Sequence, residues 1–66
     1  MKNKIKIQRA IYDLTQDDLA KKIGVSRQTI NTMESGKYVP STVLALKLAK
    51  ELKITVEELF QLEKHD

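Results

Sequence analysis

The chain is 66 residues long, with 12 Lys/Arg and 9 Asp/Glu and a net charge of +3. A chain this short supports one core and has little room to enclose a substrate, so a single domain over residues 1–66 is expected. It has no Cys, and its only His, His65, stands one residue from the end, which excludes disulfides and argues against structural zinc.

Residues Met1–Ile5 admit two readings, the start of a helix or a short edge strand, because Lys2, Lys4 and Lys6 alternate with Asn3, Ile5 and Ile7. Ile7, Ala10, Ile11 and Leu14 share a helical face, which predicts a first helix over Lys4–Asp13. Thr15 is placed to cap a second helix, Gln16–Ile23, by accepting from the amide near Asp18, and Asp17 and Asp18 suit its positive first turn. Gly24 supplies the left-handed residue that ends this helix. Ser26 caps a third helix, Arg27–Ser35, which Gly36 closes. Lys37–Ser41, with Pro40, reads as a polar loop, followed by a fourth helix over Thr42–Leu52 with Ala45, Leu48, Ala49 and Leu52 on one face. Thr55 caps a last short helix, Val56–Leu62. The fold class expected is therefore all-α, with five helices.

Only Gly24-Val25-Ser26 joins the second and third helices, so the two must cross steeply and in contact. Ala20 is small enough for that approach, and Leu19, Ile23, Val25, Ile30 and Met33 supply its apolar contacts. Arg27, Gln28, Asn31 and Thr32 are left facing outward. Arg and Gln can form paired hydrogen bonds to guanine and adenine edges, and such a polar helix face fits a DNA major groove. Charge agrees: residues 1–38 hold eight Lys/Arg against four Asp/Glu, while residues 39–66 hold four against five. A basic N-terminal part facing a polyanion and a near-neutral C-terminal part facing protein are consistent with that division.

The pattern Thr15-Gln16-x-x-Leu19-Ala20, Gly24-Val25-Ser26, Ile30, Glu34-x-Gly36 resembles the helix-turn-helix family of phage repressors and Cro proteins, the XRE family. Ser26-Arg-Gln-Thr-Ile-Asn31, followed by Lys37-Tyr38-x-Pro40-Ser41, is similar to a subgroup of very short regulators that are little more than the DNA-binding domain. The resemblance implies a five-helix, lambda-repressor-like domain with a small terminal sheet, acting on DNA as a homodimer. It assigns base contacts to Arg27, Gln28, Asn31 and Thr32. Phosphate contacts fall to Gln16, Ser26, Ser35, Lys37 and Tyr38. It also implies an internal ion pair between Arg9 and Glu34. Phage repressors frequently carry Gln where this chain has Arg27, so no operator sequence transfers.

Leu59, Phe60 and Leu62 can serve either the core or a dimer seam, and a seam is the expectation. Lys2, Lys4 and Lys6 suit equally an arm reaching DNA or a charged edge that discourages strand pairing. Asp13, Asp17 and Asp18 are not read as a metal site, because capping and the helix dipole account for Asp17 and Asp18. No cofactor and no small-molecule effector is expected. An enzyme is disfavoured, since Ser26, Ser35 and Ser41 have no neighbouring base in any catalytic motif. Residues 1–20 carry charges throughout and no stretch is apolar enough to span a membrane, so a cytoplasmic protein is expected. The expected function is a DNA-binding transcription regulator, a repressor on a two-fold operator. The alternative is an antitoxin or protein-interaction adaptor on the same fold.

Overall fold

The computed structural model describes all 66 residues. In chain order it comprises β1 (Lys2–Asn3), α1 (Ile5–Ile11), α2 (Gln16–Ile23), α3 (Arg27–Glu34), α4 (Thr42–Glu51), α5 (Val56–Leu59) and β2 (Phe60–Gln61). The four helices α2 to α5 each begin behind a hydroxyl cap in extended conformation: Thr15, Ser26, Ser41 and Thr55 accept from the amide three residues on. A hydroxyl there satisfies one of the amides that the first helical turn leaves without a carbonyl. No helix is long and apolar enough to cross a membrane.

One core joins all five helices. Ile5 of α1, Leu19 of α2, Ile30 of α3, Leu48 of α4 and Leu59 of α5 are each wholly excluded from solvent. Leu52, just past α4, and Met33 on α3 are sealed among them. No polar side chain is fully buried, so this interior is held by apolar contact alone.

The first helix departs from its expected orientation. Ile7 and Ile11 are 60% and 63% exposed, and Ala10 is exposed too, so three of the four residues read as a packing face point outward. Only Leu14 of that set packs against the core. The inward side is built from Ile5 and from half-buried polar residues that hydrogen-bond to backbone. Gln8 Nε2 donates to the Leu52 carbonyl at 3.1 Å, and Arg9 Nη1 donates to the Leu14 carbonyl at 2.8 Å. Two polar side chains thus anchor α1 where an apolar stripe was anticipated.

The last helix is shorter than Val56–Leu62. It ends at Leu59, and Phe60 turns extended, with φ −118° and ψ 134°. Phe60–Gln61 then pairs antiparallel with Lys2–Asn3, in the register Lys2 opposite Gln61 and Asn3 opposite Phe60. Of the two readings of residues 1–5, the strand therefore holds for Lys2–Asn3, while helix α1 starts at Ile5. Asn3 fastens this ribbon to the rest of the molecule: its Nδ2 donates to the Met33 carbonyl at 2.8 Å, and its Oδ1 accepts from the Ile5 amide.

Candidate nucleic-acid interface

The geometry of α2 and α3 begins with their caps. Thr15 and Asp18 form a reciprocal capping box, Thr15 Oγ1 accepting from the Asp18 amide and Asp18 Oδ2 from the Thr15 amide, both at 3.0 Å. That bond from the Thr15 backbone, reinforced by its side chain, holds the Asp18 carboxyl below the usual carboxylate range. Gly24 ends α2 at φ 75°, ψ 36°. A Cβ there would meet nothing within 4 Å, so the backbone conformation, not space, is what calls for glycine. The chain then turns through Val25, whose amide donates to the Ala20 carbonyl at 3.0 Å, into the Ser26 cap of α3. Ala20, 1% exposed, lies in the core with Leu19, Ile23, Ile30 and Met33.

With Ile30 and Met33 facing inward, Arg27, Gln28 and Asn31 stand exposed on the outer side of α3. These three and Gln16, from the start of α2, line one concavity. A second lies on the other flank of the helix, between Gln28, Thr29, Thr32 and Tyr38. Gln28 belongs to both and forms the ridge between them. Thr32 is half-buried rather than fully outward, and its hydroxyl donates to the Gln28 carbonyl at 2.8 Å.

Glu34 is turned away from that outer face. Its Oε2 accepts from Arg9 Nε at 2.8 Å and its Oε1 from Gln16 Nε2 at 3.0 Å, with Arg9 Nη2 at 3.4 Å. One carboxylate thus ties α1 and α2 to α3. The ion-pair side chains are 16% and 9% exposed, so the acid is neutralised where little water reaches it. Gln16 keeps its second amide N–H available for an external acceptor.

The remaining residues expected at phosphates occupy different situations. Lys37 and Tyr38 are exposed just beyond α3. Ser35 Oγ donates to the Thr32 carbonyl at 2.7 Å, and Ser26 Oγ is engaged by the Thr29 amide at 3.1 Å and by Thr29 Oγ1 at 2.9 Å. Both serines are exposed, yet both are already occupied with their own helix. Leu59 is 0% exposed within the core, so its side chain cannot face a partner. Phe60 is half-buried, and Leu62 is 83% exposed. Thr29, which lines the second concavity with Gln28, Thr32 and Tyr38, is not among the residues singled out from the sequence. Its three-residue spacing from Thr32 was the signal that the two share a side of the helix.

Comparison with known proteins places these features in company. The model of a family described as helix-turn-helix matches residues 5–59. An uncharacterized HTH-type transcriptional regulator of Methanocaldococcus jannaschii is 58% identical over 60 residues, 91% of each chain. A second uncharacterized HTH-type transcriptional regulator, from Bacillus subtilis, is 44% identical over 66 residues, the full length of both. Among solved structures, the restriction-modification controller protein C.AhdI from Aeromonas hydrophila is similar, with a TM-score of 0.77, 36% identity and 85% of each chain covered. The SOS-response transcriptional repressor LexA from Eubacterium rectale gives a TM-score of 0.79 at 32% identity, over 94% of this chain and 66% of that one.

Proposed function

The chain belongs to the helix-turn-helix, XRE-type family of DNA-binding transcriptional regulators, and from that premise we propose that it is a repressor that binds a two-fold operator as a homodimer. In this reading α3 lies in the major groove. Arg27 pairs with a guanine edge and Gln28 with an adenine edge, while Asn31 and Thr32 reach the adjoining bases. Gln16, Lys37 and Tyr38 hold the flanking phosphates. Ser26 and Ser35 add to them where their capping bonds allow. The dimer seam runs through Leu62 and Phe60, next to the terminal ribbon. The protein acts in the cytoplasm as a binding module with no catalytic role, and needs neither cofactor nor small-molecule effector.

The observation that supports this reading most is the asymmetry of α3. Its inner side, Ile30 and Met33, is sealed in the core, and its single acid, Glu34, is neutralised by Arg9. What remains outward is polar or cationic, with no carboxylate on the helix left to repel phosphate. The test is selection of bound duplexes from a random pool at a stated salt concentration. Two half-sites about 34–36 Å apart, related by a two-fold axis, are expected. Recovery of a single asymmetric site would contradict the dimeric arrangement, and recovery of no consensus would contradict sequence reading altogether.

A further inference from the structure

A second cationic feature lies at the opposite end of α2 from Gln16. The last turn of α2 and the second half of α4 border a hollow ringed by Lys21, Lys22, Lys47 and Lys50, all exposed, with the buried Ile23 and the turn residue Gly24 between them. The helix dipole accounts for Lys22 and Lys50, each in the last turn of its helix, and Lys21 pairs with Asp17 at 3.2 Å. Neither account covers Lys47. Glu51, the one acid of the hollow, takes part in none of the four ion pairs of the molecule. Four ammonium groups around one concavity repel one another, and a polyanion seated there relieves that repulsion. Lysines act on phosphate as point charges, without the fixed fork of arginine, and no aromatic side chain lines the hollow to stack on a base. Such a surface suits a phosphate backbone of any sequence.

Its position says which backbone. The hollow shares no residue with the two concavities along α3. The terminal ribbon, which carries Phe60 of the proposed dimer seam, is fastened through Asn3 to the Met33 carbonyl, at the C-terminal end of α3. Gly24 of the hollow stands two residues before Ser26, the cap at the N-terminal end of α3. Seam and hollow therefore lie toward opposite ends of that helix, which is about 12 Å long at 1.5 Å per residue. In a two-fold dimer joined at the seam, the two hollows fall at the outer ends of the footprint. We propose that Lys21, Lys22, Lys47 and Lys50 hold backbone phosphates of the duplex flanking the operator, so that the bound site extends beyond the bases that α3 reads. The proposal rests on the dimeric operator reading above. The flanking duplex reaches the hollows by curving toward the protein, a deformation that the added contacts offset.

The test compares the selected operator as a trimmed duplex with the same operator extended on each side by about one and a half helical turns, roughly 15 base pairs, of random sequence. Affinities are measured over a range of salt for wild type, for Lys47→Gln with Lys50→Gln, and for a control of equal charge, Lys53→Gln with Lys64→Gln. For wild type the flanks are expected to tighten binding and to steepen the salt slope by about two, one phosphate at each hollow of the dimer. The gain then falls about tenfold between about 50 and 200 mM salt. The variant at Lys47 and Lys50 is expected to lose most of that gain, the control to keep it, and the two to bind the trimmed duplex alike. Flanks that add nothing in wild type overturn the proposal. So does an equal flank effect in wild type and the variant at Lys47 and Lys50, or an equal loss in the control. Each of these leaves the operator reading standing. A protein that binds the trimmed operator no better than random duplex overturns both.

Discussion

Glu34 is where α1, α2 and α3 meet, because Arg9 and Gln16 both end on its carboxylate. Removing one member of a nearly buried pair leaves the other charge without a partner. Glu34→Ala is therefore expected to destabilise the fold by about 2–4 kcal/mol in urea denaturation. Replacing both residues with apolar ones of similar volume, Arg9→Met with Glu34→Leu, is expected to recover most of that loss. A double variant as unstable as the single one would show that the pair does more than neutralise itself. The same stretch shows what can be read residue by residue. The outward set Arg27, Gln28 and Asn31 was legible, since each stands where the positions of Ile30 and Met33 leave it. The hydroxyl directions of Ser26, Thr29, Thr32 and Ser35 were not, because each can bond either to its own helix or to something outside. Spacing along a helix does not decide between these bonds.

At the scale of elements, caps were the most legible feature. Thr15, Ser26 and Thr55 were each identified from one hydroxyl ahead of a helical pattern, and each accepts the bond that such a position offers. Thr15→Ala is expected to cost about 1 kcal/mol, seen as a lower urea midpoint with an unchanged slope. The partner half of that box makes a pH prediction. Because Asp18 has a carboxyl pKa below the ordinary value, its stabilising effect is complete above the ordinary carboxylate range. It is lost as the solution is acidified through the lowered pKa, from about pH 5 downward. The stability gap between wild type and Asp18→Ala is thus expected to narrow on acidification. A gap independent of pH would show that the charge of Asp18 plays no part. The two elements that departed from the pattern, α1 and the end of α5, share a cause. Helical periodicity reports which residues lie on one side, but not which side is covered. In α1 the covered side is fixed by Gln8 and Arg9 reaching the carbonyls of Leu52 and Leu14, contacts 44 and 5 residues away in the chain. Phe60 is drawn from helix to strand by pairing with Asn3 at the opposite end of the sequence. Leu52 and Asn3, the distant partners, lie outside any local window, and the nearby Leu14 takes part through its backbone carbonyl, which side-chain periodicity does not report.

Across the whole molecule, the exposed Leu62 and half-buried Phe60 beside the ribbon are the residues we place at the dimer seam. Leu62→Glu is expected to shift the protein toward monomer in sedimentation equilibrium and to weaken operator binding, while leaving thermal unfolding of the monomer nearly unchanged. A variant that remains as dimeric as the wild type would move the seam elsewhere. The central claim is that α3 reads bases while the residues around it hold phosphates, and the division of labour between Arg27 and Lys37 tests it most directly. Affinities of wild type, Arg27→Ala and Lys37→Ala are measured on the selected operator and on random duplex over a range of salt. Arg27→Ala is expected to lose about 1–3 kcal/mol on the operator and far less on random DNA. Lys37→Ala should lose similarly on both, with a salt slope lower by about one. Equal losses on both duplexes for Arg27→Ala would contradict the account.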